Sequence, residues 1–236
     1  MNISARNRKV IALAPFLIIL LILVYVMINN RIGLSVPLFD ENKEKFTLQP
    51  GDILVRPNLN WMPGSSKVSS GRNFGHVAVV VQGAEGQTPE ETLQKAMVVE
   101  AFIFDQATRH FVFTPEKQVR KAPAVVSFGK RFEGIRYRLR MDLNEPAQEQ
   151  LVQFLYAQVG KSGYRLFSIK INTALLLTLA GKLTQPYDKW NCATLAWFSI
   201  LQVNGTNIDF NRGYLVYPND LIRSPLFDSP GGRIRF

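Results

Sequence analysis

The chain has 236 residues, of which 47% are hydrophobic, and a formal net charge of +10. About 200 residues remain outside the apolar N-terminal segment, which suits one folded domain rather than two. The basic residues are scattered without an interleaved aromatic platform, which argues against a nucleic-acid partner. The positive charge suits either a solvated surface or attraction to anionic lipid headgroups or an acidic cell-wall polymer.

An uncharged segment near the N-terminus predicts a membrane anchor. Residues 10–28 contain no charged side chain, and a helix of that length crosses a hydrocarbon core about 30 Å thick. Three cations precede the segment and only Arg31 follows closely, so we expect residues 1–9 in the cytoplasm. A cleaved signal peptide is the alternative, but residues 25–30 offer no small-residue cleavage site. The prediction is a single-pass protein of the inner (plasma) membrane whose domain is periplasmic or extracellular.

The rest of the chain divides into a tether and a domain. Residues 29–49 are mixed and polar, with Pro37 opposing a continuous helix, and they predict a tether before a domain over residues 50–236. Residues 58–73 are rich in Gly, Ser, Asn and Pro, as in a long loop. A first strand is predicted at 51–56, and two buried strands are predicted at 75–82 and 97–104. The segments at 111–113 and 124–128 are weaker strand candidates. A half-exposed strand is predicted at 135–140.

The period of the apolar residues then changes to that of helices. Residues 145–159 predict an amphipathic helix with Asn144 as its cap, Pro146 in its first turn and Gly160 beyond its end. A second helix is predicted over residues 190–203, where Asn204 and Gly205 stop it.

A third apolar segment lies between these helices. Residues 166–180 are interrupted by Lys170 and Asn172, which leaves only residues 174–180 as a nearly unbroken apolar run. That run is too short to cross a bilayer. A core helix is favoured, and a lid over an active site or a hairpin touching the membrane surface stays open.

The chain has a single cysteine, so no internal disulfide forms within it. Cys192 follows Asp188 and Asn191, both plausible helix caps, and is therefore expected in the first turn of a helix. There the unpaired backbone N–H groups favour a thiolate, lower the pKa of the thiol, and could stabilise an oxyanion. The alternative is a buried cysteine that packs as a small hydrophobic residue.

A nucleophilic thiol needs a base, and the chain has two histidines. His76 begins a strand of Val and Ala, where an imidazole could face the end of a packed helix, although a lone histidine in such a strand is often structural. For His110, at the edge of a predicted loop, we keep the structural interpretation. Glu100 interrupts an apolar strand, where a buried carboxylate needs a partner. That partner could be His76 on a neighbouring strand, or an arginine.

Five short motifs carry a resemblance to a known family. They are the run at 51–56 (GDILVR), Gly75-His76-Val77-Ala78, Val98-Val99-Glu100-Ala101, Gly160 with Tyr164, and Asn191-Cys192 opening a helix. This ordered set resembles the YiiX-like permuted papain-fold amidases, which belong with the NlpC-type cysteine peptidases and in which histidine, polar residue and cysteine follow in that order. The resemblance implies an α+β fold with a small antiparallel sheet packed on helices. It also implies three catalytic residues: Cys192 as nucleophile, His76 as base and Glu100 as the residue that orients the base.

From these observations we expect a membrane-anchored cysteine hydrolase. It would cleave an amide or ester bond through a thioester, with a cell-wall (peptidoglycan) peptide or an acylated lipid or lipoprotein as substrate. The substrate groove is expected beside Tyr164, Asn191, Leu175 and Leu179. We expect no metal or organic cofactor, because no cluster of ligand residues has metal-binding spacing. The alternative is a non-catalytic, membrane-tethered binding or scaffolding domain with a papain-like fold.

Overall fold

The structure is a computed structural model that describes residues 15–22, 24, 45–57, 74–105, 108, 110–130, 136–164, 189–209 and 216–236. The predicted loop 58–73 and the apolar segment 166–180, with Leu175 and Leu179, lie outside these residues.

The predicted anchor is described only in part. Residues 15–22 and 24 are helical, and side chains such as Phe16 and Leu21 are exposed. Within the described part of the chain, no helix combines the length and hydropathy that crossing a bilayer requires. The anchor therefore stays a prediction.

A six-stranded antiparallel sheet forms the centre of the domain. Its strands lie in the order β12 (Arg233–Arg235), β9 (Tyr137–Leu139), β2 (Ile53–Pro57), β3 (Phe74–Gln82), β5 (Met97–Ala101) and β8 (Val119–Pro123), and every neighbouring pair is antiparallel. This arrangement confirms the predicted α+β class with an antiparallel sheet packed on helices. The strands of the described chain are β1 Phe46–Leu48, β2 Ile53–Pro57, β3 Phe74–Gln82, β4 Ala84–Gly86, β5 Met97–Ala101, β6 Phe104–Asp105, β7 His110–Phe111, β8 Val119–Pro123, β9 Tyr137–Leu139, β10 Gly163–Tyr164, β11 Lys189–Trp190 and β12 Arg233–Arg235.

The two helices predicted at 145–159 and 190–203 fall on described residues, and both are present. The helix with Asn144 at its N-cap ends at Gln158, and the helix that contains Cys192 ends where Gly205 adopts a left-handed conformation. The helices are α1 Pro89–Lys95, α2 Val125–Phe128, α3 Glu145–Gln158, α4 Cys192–Asn204 and α5 Pro218–Ile222, with 3-10 turns at Pro115–Lys117 and Pro225–Phe227.

Alternation along the strands gives the sheet two apolar faces. Val77 and Val79 of β3 belong to a large core that also contains residues of α3 and α4. Ala78 and Val80 belong to a second core that also contains residues of α1 and α2. Because successive strand residues point to opposite sides, neighbours in β3 face different helices.

Strands β3 and β5 separate at one end of the sheet. Their pairing runs from Gln82 to Val79, which lies opposite Val99. Beyond that pair, Glu100 and Ala101 pair with β8 only. On the edge of β3 that faces β5, residues 75–78 therefore have no partner strand, although their other edge pairs with β2. The candidate site lies at this opening between β3 and β5.

Two predicted strands are corrected. The strand at 124–128 is wrong: the carbonyl oxygen of Ala124 accepts hydrogen bonds from the N–H groups of Ser127 and Phe128, which closes the helical turn of α2. The strand at 135–140 is shorter and is buried rather than half-exposed. Arg138 is fully buried because its guanidinium donates to the carbonyl oxygens of Thr47 and Gly231.

The chain before the predicted domain boundary also contributes to the structure. Phe46 and Leu48 lie in β1, which pairs with β4, and both side chains are buried. They pack in the core on the α1 side of the sheet.

Candidate active site

Cys192 is the first residue of α4, as its position after Asn191 predicts. The Asn191 side chain caps the helix, and its Oδ1 accepts a hydrogen bond of 2.7 Å from the Thr194 N–H. The cap leaves the first backbone N–H groups of the helix directed at the sulfur, where those of Cys192 and Ala193 lower the pKa of the thiol. The alternative cap, Asp188, lies outside the described residues.

The Cys192 thiol is buried, however, and its pKa differs from the sequence-based expectation. Burial raises the pKa above its ordinary value and outweighs the N–H groups of Val77 and Ala193 and the positive charge of Arg56, all of which lower it. The expectation of a depressed pKa is therefore corrected. A thiol with 8% of its surface exposed gains less from the helix N-terminus than it loses in hydration.

The sulfur of Cys192 lies against the backbone of β3. Its S–H donates to the carbonyl oxygen of Gly75 at 3.9 Å, and the N–H of Val77 donates to the sulfur. These two groups flank His76 in the chain. The thiol therefore enters the opening between β3 and β5 at the level of the imidazole.

His76 and Glu100 form a buried pair. Nε2 of His76 lies 2.6 Å from Oε2 of Glu100, and the two side chains are 9% and 0% exposed. The register aligns them diagonally across the β3–β5 boundary, on the same face of the sheet. The His76 ring also stacks on Phe128 of α2, with ring centroids 5.8 Å apart. Because a carboxylate only accepts, the hydrogen lies on Nε2 and leaves Nδ1 as an acceptor when the ring is neutral.

Glu100 accepts two further hydrogen bonds. Its Oε1 receives Nε of Arg120 at 2.8 Å and Oγ of Ser127 at 2.9 Å. Burial raises the pKa of Glu100. The hydrogen bonds from His76, Arg120 and Ser127 and the nearby positive charges lower this pKa by a larger amount, so that it falls below its ordinary value to about 2. Both partners considered for this carboxylate, an imidazole and an arginine, are therefore present.

The same environment keeps the His76 imidazole neutral. Burial lowers its pKa below the ordinary value, Glu100 opposes this change, and the positive charges of Arg56 and Arg120 add to it. Arg56 lies directly opposite His76 in the β2–β3 register. At neutral pH the ring is therefore a hydrogen-bond donor to Glu100 and a potential proton acceptor at Nδ1.

The structure joins His76 to Glu100 but does not join Cys192 to His76 by a hydrogen bond. His76 shares the sheet face of Ala78, whereas Cys192 belongs to the core on the opposite side, with α3 and α4. The sulfur contacts the backbone of Gly75 and Val77, on either side of His76, and makes no hydrogen bond to the His76 ring.

The predicted groove residues that are described lie beside the thiol. Tyr164 of β10 pairs in parallel with Trp190 of β11, two residues before Cys192, and the Tyr164 N–H donates to Oε1 of Gln118 at 2.6 Å. Burial and the nearby Cys192 both raise the pKa of the Tyr164 hydroxyl. Asn191 serves as the helix cap.

His110 lies elsewhere, exposed on the short strand β7 opposite Asp105. Among the residues that the structure describes, no group of three His, Cys, Asp or Glu side chains could hold a metal ion.

Sequence reasoning did not single out Arg120, Ser127 or Arg56. Arg120 follows Val119 in a strand that carried no prediction, and Ser127 lay in the segment wrongly predicted as a strand. A signal was available in Glu100 alone, since a buried carboxylate needs several donors. The residues that supply them became visible only with the sheet order and the turn of α2.

Comparisons with known proteins find a similarity to a solved structure. No protein-family model and no curated protein matches the chain. The crystal structure of the metalloprotein yiiX from Escherichia coli O157:H7 is similar over 80% of this chain and 96% of that one, with 14% identity and a TM-score of 0.47.

Proposed function

We propose that the protein is a cysteine hydrolase that cleaves an amide or ester bond through a thioester on Cys192. One observation supports this proposal above the others. The sulfur contacts the backbone at Gly75 and Val77, on both sides of a histidine whose ring is held by the buried carboxylate of Glu100. Nucleophile, base and orienting residue of this type are the parts that thiol hydrolysis requires.

The electrostatics favour a neutral thiol and a neutral imidazole before reaction. Nδ1 of His76 takes the proton of the Cys192 thiol as the sulfur attacks the substrate carbonyl and a carbon–sulfur bond forms. The resulting imidazolium then donates that proton to the leaving amine or alcohol, and the C–N or C–O bond breaks to leave a thioester. Water loses a proton to His76 as it attacks the thioester, which releases the acid and restores the thiol.

Two features of the site bear on the transition state. The backbone N–H groups of Cys192 and Ala193 at the start of α4 lie at the sulfur and are the donors that we assign to the developing oxyanion. The imidazolium that forms is stabilised by the charge of Glu100 across 2.6 Å. The reaction requires Nδ1 to approach the sulfur through the opening between β3 and β5, a contact that we expect to tighten when substrate binds.

The substrate belongs to one of two classes. With the predicted anchor at residues 10–28, the domain reaches material close to the outer face of the inner (plasma) membrane. That material is either a peptidoglycan peptide or an acylated lipid or lipoprotein. Its overall positive charge suits both an acidic wall polymer and anionic headgroups. A turnover screen with muropeptides in one arm and lipopeptides in detergent micelles in the other separates the two classes.

The test of the hydrolase uses the full-length protein in detergent and an activated acyl ester such as p-nitrophenyl acetate. Reactions are quenched in acid, and the acylated residue is identified by peptide mass spectrometry. We expect an acyl group on Cys192 that is absent from Cys192→Ala and forms about 100-fold more slowly in His76→Ala. The matched control is His110→Ala, which removes the other, exposed histidine and should leave the rate unchanged. Equal rates in both histidine variants would overturn the proposal.

A second candidate is a non-catalytic, membrane-tethered binding or scaffolding domain. The observation that favours it is the burial of Cys192, with its raised pKa and without a hydrogen bond to His76. In that case the thiol reacts with iodoacetamide only after the protein is denatured, and no ester leaves an acyl group on it in the folded state.

A further inference from the structure

The carboxylate of Glu100 is held by more than the histidine it orients. Nε of Arg120 and Oγ of Ser127 both donate to Oε1, while Oε2 is left to Nε2 of His76. The two oxygens are therefore used for different purposes. Arg120 and Ser127 hold Oε1, and Oε2 is bonded to the imidazole of His76.

Arg120 is itself fixed on two further sides. Its Nη1 lies 3.2 Å from Oδ2 of Asp105 on β6, and its guanidinium stacks over the Phe102 ring at 4.0 Å. Arg120 therefore cannot turn away from Glu100 without losing these contacts. Ser127 lies in the short helix α2 and is 2% exposed, so its hydroxyl is shielded from water beside Glu100.

We propose that Arg120 and Ser127 are positioning residues that fix the Glu100 carboxylate against His76, so that the ring keeps its proton on Nε2 and presents Nδ1 as the proton acceptor. This inference deepens the proposed function, because it assigns the groups that set the base of that reaction. A carboxylate with one oxygen free could rotate, and the imidazole bonded to it would lose its single orientation.

The charges around the ring define the expected pH response. Glu100 on β5 favours the imidazolium, whereas Arg56 on β2 and Arg120 on β8 disfavour it. Asp105 on β6 acts through Arg120, and Cys192 on α4 lies at the backbone beside the ring. Removing the charge of Arg120 therefore raises the pKa of His76, and a larger share of the ring is doubly protonated and unable to accept a proton.

The experiment follows the two histidines by ¹H–¹⁵N NMR of ¹⁵N-histidine-labelled protein across pH. With two histidines in the chain, His76→Ala assigns the spectrum and His110 serves as an internal reference. The wild type should show a fixed Nε2–H tautomer for His76. In Arg120→Gln the titration of His76 should move to higher pH, and in Ser127→Ala the Nε2–H signal should broaden or mix with the other tautomer.

The controls separate positioning from folding and from turnover. Lys121→Gln changes the next residue of β8, whose side chain lies over the Tyr156 ring, and should leave His76 unchanged. Arg120→Lys restores the charge and should return the titration toward the wild type. If Arg120→Gln does not fold, Ser127→Ala decides the matter.

An unchanged tautomer and titration of His76 in both Arg120→Gln and Ser127→Ala would overturn the inference. The readout does not depend on turnover. If His76 responds as expected but no acyl group appears on Cys192, the hydrolase proposal fails and the positioning role stands.

Discussion

Oε2 of Glu100 lies 2.6 Å from Nε2 of His76, although the two residues are 24 positions apart in the chain. The contact crosses the boundary at which β3 and β5 begin to separate. It places an oriented imidazole at an opening that the Cys192 sulfur enters from the other side of the sheet. The stability and reactivity of the protein should therefore both depend on this part of the sheet.

Replacing Glu100 by Gln should destabilise the fold by about 3–5 kcal/mol, because Arg120 is left beside a neutral group in a buried site. Urea unfolding followed by tryptophan fluorescence measures the change. Glu85→Gln is the matched control, since Glu85 pairs with Lys45 at 2.6 Å but both side chains are more than half exposed. That control should leave the unfolding free energy unchanged. Similar stabilities for the two variants would show that the Glu100 pairs contribute nothing.

The pKa of Glu100 predicts a window of acid sensitivity. Its folded-state pKa of about 2 lies below the ordinary 4.5, so the stability that it contributes is present above pH 4.5 and is lost as pH falls toward 2. Unfolding free energies of wild type and Glu100→Gln should therefore converge across this interval. Parallel curves from pH 5 to pH 2 would contradict the assignment.

The raised pKa of Cys192 predicts slow alkylation near neutral pH without substrate. The pKa lies above the ordinary 9.0, so the rate of iodoacetamide labelling should still be rising at pH 9. Loss of labelling in Cys192→Ala is the control. A rate that reaches its plateau by pH 7 would show that the thiolate is stabilised and that burial does not dominate.

Gly51→Ala should destabilise the domain through both backbone strain and a steric clash. Gly51 has φ +93°, and an added Cβ would lie 2.8 Å from Cδ1 of Leu143. Gly205→Ala is the matched control, because Gly205 has φ +65° and no atom within 4 Å of its added Cβ. We expect about 1 kcal/mol for Gly205→Ala and about 1–3 kcal/mol more for Gly51→Ala, measured by urea unfolding. Equal costs would mean that Leu143 moves aside freely.

Local signals predicted much of the fold. The Asn144 cap predicted the start of α3, since an N-cap needs only its own side chain and the next three residues. Asn191 was one of two candidate caps for α4, whose predicted start at residue 190 lies two residues before the observed one. The Val-rich runs around His76 and Glu100 gave β3 and β5, because alternation and β-branching are also local properties. The prediction of a strand at 124–128 was wrong because a short apolar run does not distinguish a single helical turn from a strand.

The sequence by itself determined that Cys192 opens a helix and that Glu100 needs a buried partner, because helix capping and the cost of desolvating a carboxylate do not depend on the rest of the fold. The tertiary structure decided which groups meet. Sheet order and register brought His76, Arg120 and Ser127 to Glu100, and the depth of Cys192 in the core reversed the expected direction of its pKa. Hydration and strand pairing are properties of the assembled chain, so no local pattern encodes them.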